Sequence, residues 1–534
     1  MRFFLCAACL ILGLSGCGGP IERPERTDFS SLVRVNGDEV RTLDPHRVSV
    51  TYEVGVVSDL FLGLTDLDPK ARPVPGLARN WSVSDDGLTW TFLLRDGLQW
   101  SDGAAITAED FVYSYRRLAA PETASGYSSL LSVITNADAI LAGKAPVETL
   151  GVAAPNASTL VFTLTAPLPV FPEMTAFAAM VPVPRHVIEK HGEKWSRPEN
   201  IVSNGAYTIQ SWQRQAHMVL KKNPRFIDAD TVAIETLTYI PISDNMMAVR
   251  RFRAGEVDII PEFPDPMGPI LKEQLGEQVH VYTYQGTYYY VFNNERPPFD
   301  NRSIRKALSM AIDRKPIVDS IMRSGYRPAY SMVPPATGFY GEAYKPVWAS
   351  WPMEKRLAEA RTLLANAGIT VETPINVEMR INTSDTHQRL GLAIAQMWKP
   401  LGVNVTLFNT EAAVHFSDMR KGNYTLARAG WIADYNAADN FLFVFQSKNI
   451  GLNYPNYNSP AFDALFGKGQ RESDIGTRMG YFRQAEAVLI EDSPILPLYY
   501  YVSKNLVADD IEGWENNLPN RHRSRWLRFK RPAS

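Results

Sequence analysis

The order of strand and helix patterns over residues 375–431 constrains the fold more than any other feature of the chain. Segments that suit strands alternate there with segments that suit helices. Ser384 can cap the first helix, and Gly402 and Gly422 follow helix ends. The predicted order is strand 375–382, helix 385–398, strand 403–408, helix 411–422 and strand 424–431. This order predicts an α/β fold with a parallel sheet, in which ligands bind at the carboxyl ends of the strands.

The last of these strands continues into LARAGWIADY, residues 426–435, where charged side chains interrupt an almost bare apolar run. Gly430 has no side chain, and a glycine in a strand marks a place where another backbone can approach closely. Arg428 and Asp434 are costly in apolar surroundings unless each has a partner. Either they pair with each other or with nearby groups, or they await a ligand that carries both signs. A peptide main chain, with its terminal ammonium and carboxylate, is such a ligand.

The amino terminus has the pattern of a secretory signal, in which Arg2 precedes an apolar stretch from Phe3 to Leu12. The sequence LSGC, which ends at Cys17, resembles a bacterial lipobox and implies cleavage after residue 16 and acylation of Cys17. The alternative is an ordinary secretory signal in which Cys17 is incidental. We therefore expect residues 1–16 to be a lipoprotein signal peptide and residues 17–29 to be a tether.

Composition excludes several classes of protein. All three cysteines lie within residues 1–17, so the remaining chain has no disulfide and no cysteine ligand. The formal net charge of −2 offers no basic excess for nucleic acid, and no later apolar run has membrane-spanning length. The sequence contains no GxSxG, P-loop, HExxH or complete GxGxxG motif, and His186 and His191 are five residues apart, which separates their directions on a helix. We expect a soluble binding protein rather than an enzyme, with no cofactor and no metal.

The first half of the chain contains a predicted hairpin at 81–103 and a helix at 106–118 with Thr107 as its N-cap. Residues 88–115, LTWTFLLRDGLQWSDGAAITAEDFVYSY, resemble the signature of the family 5 extracellular solute-binding proteins of peptide ABC importers, and most closely the oligopeptide-binding members. Other segments that fit this family are 43–46, 200–212, 287–294, 296–314 and 428–436. The resemblance extends in order from about residue 32 to residue 507, so it is more specific than one motif.

The resemblance implies a periplasmic-binding-protein-like fold, in which two α/β lobes are joined by a hinge and one extra domain is inserted. The implied boundaries are lobe I at 30–61 with 186–285 and 500–534, lobe II, the insert, at 62–185, and lobe III at 286–499. Two chain crossings, near Gln285–Gly286 and near Tyr499–Val502, would form the hinge.

The resemblance also assigns roles to charged residues at the proposed site. Asp434 matches the position that takes the peptide α-amino group, although an internal pair with Arg428 is the alternative. Arg428 and His387 match positions that meet the peptide carboxylate at different peptide lengths. His387 lies in the first turn of its predicted helix, where an anion is favoured, but it could also be a surface histidine.

Backbone and aromatic contacts complete the implied site. Ser49, Val50 and Thr51 match one segment that pairs with the peptide backbone, and the segment from Gly430 to Ile432 matches the other. The residues that match cleft aromatics, or that simply pack in the core, are Tyr127, Tyr289 and Trp431.

Several positions depart from the oligopeptide-binding pattern. Val291 and Ser49 stand where glutamates occur, and Met322 and Met419 stand where a lysine and an arginine occur. Ile432 replaces a cysteine. Arg323 and Arg420 lie one position further on and could substitute, although a shift of one residue on a strand reverses its face. The cleft is therefore expected to be less charged than in those members.

The function implied is that of a substrate-binding lipoprotein, which captures short peptides and delivers them to the permease and ATPase subunits of an ABC importer. The expected protein is a monomer in the periplasm, anchored to the membrane through lipidated Cys17. Two alternatives stay open. The ligand could be a metal complex, haem, a sugar or a murein peptide, or the protein could sense peptides without transporting them.

Overall fold

The computed structural model describes residues 23, 26–449 and 451–531, so the predicted signal peptide and Cys17 lie outside the described residues. Its strands are β1 (Ser31–Val35), β2 (Thr65–Leu67), β3 (Pro73–Pro75), β4 (Ala78–Val83), β5 (Thr89–Leu94), β6 (Val152–Asn156), β7 (Thr159–Thr163), β8 (Tyr207–Gln213), β9 (His217–Lys222), β10 (Thr236–Ile240), β11 (Ile259–Ile260), β12 (Val279–Phe292), β13 (Arg327–Pro328), β14 (Ile375–Asn382), β15 (Val403–Thr410), β16 (Leu426–Ile432), β17 (Ile495–Val507), β18 (Ile511–Glu512) and β19 (Arg528–Phe529).

The helices surround these strands, and several are only one turn long. They are α1 (Thr51–Leu60), α2 (Ala108–Ala119), α3 (Ala137–Leu141), α4 (Phe171–Met174), α5 (Arg185–His191), α6 (Asn245–Arg253), α7 (Gly268–Leu275), α8 (Arg302–Met310), α9 (Arg314–Pro316), α10 (Met353–Asn366), α11 (Asp385–Trp398), α12 (Ala412–Arg420), α13 (Asp439–Leu442), α14 (Pro460–Arg471) and α15 (Ile475–Asp492). Within the described ranges, none of them is both long and apolar enough to cross a bilayer.

The predicted parallel unit is confirmed. Strand β14 pairs in parallel with β15 along its whole length and with β16 at Leu426 and Ala427. The two connecting helices are α11 and α12. Helix α12 is shorter than the prediction at both ends, because Glu411 is its N-cap and accepts from the Ala413 N–H, and Lys421 is its C-cap. Ser384 occupies the N-cap position of α11 in extended conformation, but its side chain makes no capping hydrogen bond.

The predicted hairpin and capped helix in the first half are also confirmed. Strands β4 and β5 pair antiparallel across the turn at 84–88. Helix α2 begins with a capping box, in which the side chains of Thr107 and Asp110 satisfy each other's backbone N–H groups. Local turn and cap residues therefore determine this region, as the sequence indicates.

Two long strands, β12 and β17, lie at the centre of an 11-stranded sheet. On one side of this pair lie β16, β14 and β15, and on the other lie β11, β1, β10, β9 and β8, with β13 against β17. The pairing of β12 with β17 is interrupted between Thr283 and Thr287, opposite Val502 and Tyr500. This interruption contains the predicted crossing at Gln285–Gly286 and overlaps the predicted crossing at Tyr499–Val502.

Four cores hold the molecule together. The first joins apolar residues from the predicted lobe I and the predicted insert, such as Leu237 and Phe92, and a smaller one lies beside it around Phe252. The other two lie on opposite faces of β12, because Tyr288 and Tyr290 point into one and Tyr289 points into the other. The lobe boundaries near residues 61 and 185 therefore fall within one continuous core, and the division into lobes stays a prediction.

Candidate functional site

One edge of β16 is open beyond its first residues. Gln285 accepts a hydrogen bond from the Ala433 N–H at 2.9 Å, and Thr425 accepts one from Asn293 at 2.9 Å. Alternate residues of an antiparallel strand direct their backbone groups to opposite edges, so Gly430 and Ile432 direct theirs away from β12. On that far edge β14 pairs only as far as Ala427, and no other described strand continues the pairing.

Arg428 lies at the start of this open edge with its guanidinium against aromatic rings. Its Nη1 donates to Asn382 Oδ1 at 3.2 Å and its Nη2 donates to the Tyr501 hydroxyl at 2.9 Å. The guanidinium carbon lies 4.8 Å from the ring centre of Tyr288. Its buried Nε has no partner among the described residues, and no described carboxylate forms an ion pair with it. An arginine with unused donors and no counter-charge is suited to a carboxylate ligand.

His387 is brought to the same place by the first turn of α11. Its Nδ1 lies 3.2 Å from the Tyr288 hydroxyl, and the two rings are 5.5 Å apart. Burial, and then the positive charge of Arg428, lower the pKa of His387 to about 3, so the imidazole is neutral near pH 7. With Tyr288 donating to Nδ1, the ring proton lies on Nε2, which is left as a donor for an anionic oxygen.

Asp434 follows β16 and forms no ion pair with Arg428 among the described residues, so the internal pair between these two side chains is not present, and the ligand role of Asp434 stays a prediction. Its backbone N–H donates to Asn440 Oδ1 at 3.1 Å, and its carbonyl accepts from Arg521 Nη2 at 3.1 Å. Burial raises the pKa of the Asp434 carboxyl, whereas the charge of Arg521 and a hydrogen bond with Asn440 oppose that shift. No ion pair of this carboxylate occurs within the described ranges, so it is suited to an ammonium group.

Trp431 and Asp434 are held by the same side chain. Asn440 Oδ1 accepts from the Trp431 indole N–H at 3.1 Å as well as from the Asp434 backbone. The indole packs edge-on against Phe443 at 5.5 Å, on the face of β16 opposite Arg428. Ile432 points outward and keeps 44% of its surface exposed. The end of β16 is therefore fixed although its outer edge is open.

Gly430 is explained by a contact that the sequence did not reveal. A Cβ atom there would lie 2.7 Å from the Tyr501 hydroxyl oxygen and 3.3 Å from Arg428 Nη2. A Cβ atom at Gly286, on the neighbouring strand, would lie 2.8 Å from the Tyr501 ring. Both glycines make room for Tyr501, which in turn orients Arg428.

The segment Ser49–Thr51 leads into α1. Ser49 donates its backbone N–H to Glu53 at 3.0 Å and accepts from Arg41 Nη2 through its hydroxyl at 2.6 Å. Val50 is extended and Thr51 opens the helix. Their N–H groups lie at the helix start and have no acceptor within the helix, so they remain candidates for pairing with a ligand backbone.

The two predicted cleft tyrosines have different surroundings. Tyr127 packs against Phe177 at 4.8 Å, and its pKa is raised by burial and then by the charge of Asp434, which places it beside the site. Tyr289 is only 2% exposed and packs against Phe445. Its position in a core cluster supports a packing role, and its role in binding stays a prediction.

Three of the positions that depart from the family pattern are apolar interior residues, whereas Ser49 and Ile432 are exposed. Val291, Met322 and Met419 are almost completely buried. The two arginines that could substitute, Arg323 and Arg420, are exposed, and Arg323 ends a helical turn in left-handed conformation. Whether either reaches a ligand stays a prediction.

Sequence reasoning missed the side chains that support the predicted site, namely Asn382, Asn440, Tyr501, Arg521 and Glu173. Tyr501 belongs to the tyrosine run at 499–501 inside a predicted crossing, which could have identified it. The others carry no local signal. In the described part of the chain, no group of three or more His, Cys, Asp or Glu residues is arranged to hold a metal ion.

Comparison with known proteins identifies the family of the chain. The family model "Bacterial extracellular solute-binding proteins, family 5 Middle" matches residues 72–453. The chain is 41% identical to the periplasmic oligopeptide-binding protein OppA of Salmonella typhimurium, over 92% of this chain and 91% of that protein.

Two solved structures show the same fold. The murein tripeptide-binding protein MppA of Escherichia coli matches with a TM-score of 0.83 and 35% identity, over 94% of this chain and 99% of that chain. OppA of Haemophilus influenzae in complex with RPPGFSPFR matches with a TM-score of 0.82 and 33% identity, over 95% and 100%. The predicted α/β, periplasmic-binding-protein-like fold is confirmed, and this chain belongs to the family 5 bacterial extracellular solute-binding proteins.

Proposed function

We propose that this protein captures short peptides in a closing cleft and delivers them to an ABC importer. The observation that carries the proposal is the open edge of β16, which has Arg428 at one end and Asp434 beyond the other. Backbone groups of Gly430 and Ile432 supply hydrogen bonds that do not depend on ligand side chains, and the two charges suit the two ends of a peptide.

The spacing along β16 supports a short ligand. From Arg428 to Ile432 the strand advances four residues, about 13 Å at about 3.3 Å per residue. An extended main chain of about three to five residues has a comparable length. Longer peptides would have to pass one of the charged groups or leave the cleft.

The names of several relatives support peptides over the alternative ligands. The OppA proteins are named for oligopeptides, and MppA is named for a murein tripeptide. Identity is higher to Salmonella OppA, at 41%, than to Escherichia coli MppA, at 35%, which favours ordinary oligopeptides. Capture and release need no catalytic group, so we propose a binding protein without enzymatic activity, which acts as a monomer with the permease and ATPase subunits.

Closure about a hinge at the interrupted pairing of β12 and β17 is part of this proposal. Residues Gln285–Gly286 and Tyr499–Val502 would change conformation while lobe III, residues 286–499, moves towards the remaining chain. Small-angle scattering should show a smaller radius of gyration with saturating peptide. An unchanged radius would argue against hinge closure.

Native mass spectrometry of the purified protein tests the ligand class. We expect that denaturing the purified protein will release bound peptides of about three to five residues, in accord with the length of the open edge. Recovery of haem, a metal complex or a sugar instead of peptides would overturn the proposed function. Binding of synthetic tripeptides to the protein from which the ligand has been removed provides the complementary measurement.

Anchoring through Cys17 is the cellular part of the proposal, and it rests on the lipobox pattern. Cys17→Ser should move the protein from the membrane fraction to the soluble fraction outside the cytoplasmic membrane, because the acylated residue is lost. Fractionation with a blot for the protein measures this, and Cys9→Ser in the apolar signal stretch is the matched control. Wild-type protein found wholly in the soluble fraction would contradict acylation.

A further inference from the structure

The loop at 433–437, which carries Asp434, is contacted by two residues that are remote in sequence. Glu173 Oε1 accepts a hydrogen bond from the Asn436 N–H at 3.0 Å. Arg521 Nη2 donates to the Asp434 carbonyl at 3.1 Å. These contacts hold the backbone at and just after Asp434, and with the hydrogen bond from the Asp434 N–H to Asn440 Oδ1 they restrict where its carboxylate can lie.

These two contacts come from different parts of the chain. Glu173 belongs to the short helix α4 in the predicted insert, and Arg521 belongs to the carboxyl-terminal segment of predicted lobe I. The guanidinium of Arg521 lies over the Phe177 ring at 4.6 Å, so Arg521 contacts the insert as well. The loop itself belongs to predicted lobe III. Three predicted lobes therefore meet around Asp434.

The charges at this meeting point are unequal. Two carboxylates, Glu173 and Asp434, act on one guanidinium, that of Arg521, and none of the three forms an ion pair within the described ranges. Burial raises the pKa of Glu173, whereas the Asn436 N–H and then Arg521 oppose the shift. With both carboxylates ionised, the cluster has an excess of one negative charge, which suits a single ammonium group.

We propose that Glu173 and Arg521 are positioning residues of the α-ammonium subsite, which hold the Asp434 loop from two other lobes and complete the subsite only when the cleft is closed. This inference rests on the proposed function. It extends that function by naming residues outside lobe III that set the preference for a free amino terminus.

The test compares two ligands and three variants. Calorimetry measures trialanine and N-acetyl-trialanine binding to wild type, Glu173→Ala and Glu173→Gln, with exposed Glu122→Ala as the matched control. Glu173→Ala should lower the preference for free over acetylated trialanine by about threefold to tenfold, because one hydrogen bond that places the loop is lost. Glu173→Gln should restore part of it, since an amide oxygen can still accept from the Asn436 N–H although the negative charge is lost.

Arg521→Lys and Arg521→Met provide a second pair if Glu173→Ala does not fold. The lysine variant should keep more of the preference than the methionine variant, because it retains a positive donor. A purely structural role would lower affinity for both ligands by the same factor and leave the preference unchanged, which would overturn the inference alone. A wild type that does not prefer free trialanine would overturn both the inference and the proposed recognition of the peptide amino terminus.

Discussion

Asp434→Asn is expected to weaken binding of peptides with a free amino terminus by about 30-fold or more. The carboxylate is half-buried, lies in no ion pair among described residues and follows the open edge of β16. Removing one partner of a buried charge pair costs about 2–5 kcal/mol, mostly as faster release. Calorimetry and stopped-flow dissociation at pH 7 measure the effect.

The pH dependence of binding gives the same prediction a second readout. Because burial raises the pKa of Asp434, its charge is lost at higher pH than that of an ordinary aspartate. Affinity for free peptides should therefore fall as the pH is lowered through this raised pKa, and Asp434→Asn should remove that part of the dependence. Binding that is equally pH-dependent in the variant would assign the dependence to another group.

Two controls separate the role of Asp434 from a general loss of charge. Asp85→Asn changes an exposed aspartate on the turn between β4 and β5 and should leave affinity unchanged. Amino-terminally acetylated peptides lack the ammonium, so wild type should bind them weakly and Asp434→Asn should bind them no worse. If wild type binds acetylated and free peptides equally well, Asp434 is not the ammonium site.

Local sequence patterns predicted the elements that carry the site, because their causes are local. Strand alternation, the turn at 84–88 and the Thr107 cap each depend on a few consecutive residues, and the β-α-β-α-β order fixes β14, β15 and β16 as parallel neighbours. The same order predicts that RAGW ends at a ligand-binding edge. The fold class could therefore be derived from the chain alone, whereas the position of the site stays a prediction.

The supporting contacts could not be derived in this way, because they join residues far apart in sequence. Glu173 and Asn436 are separated by 263 positions, and no local period encodes their hydrogen bond. The reason for Gly430 could not be derived from the sequence either, because the missing Cβ makes room for Tyr501, which lies on the distant strand β17. The sequence did not decide whether His387 is a surface histidine. Its contact with Tyr288 leaves the ring half-buried, and burial keeps it neutral near pH 7.

A second large loss of affinity is expected at the carboxyl-terminal end of the peptide. Arg428→Met is expected to weaken peptides with a free carboxyl terminus by about 30-fold or more, because the guanidinium has unused donors and no described counter-charge. His387 is neutral near pH 7 and can offer one uncharged hydrogen bond. His387→Gln should therefore weaken the same peptides by less than about tenfold.

Carboxyl-terminally amidated peptides distinguish recognition of charge from loss of packing. Arg428 lies against Tyr288 and bonds Tyr501, so its replacement also removes contacts within the protein. Arg428→Met should reduce affinity for free peptides much more than for amidated ones, whereas a packing defect would reduce both equally. Arg361→Met, on the exposed face of α10, is the matched control and should change neither. Equal losses for free and amidated peptides would mean that Arg428 does not bind the carboxylate and that its role is its contacts with Tyr501 and Asn382.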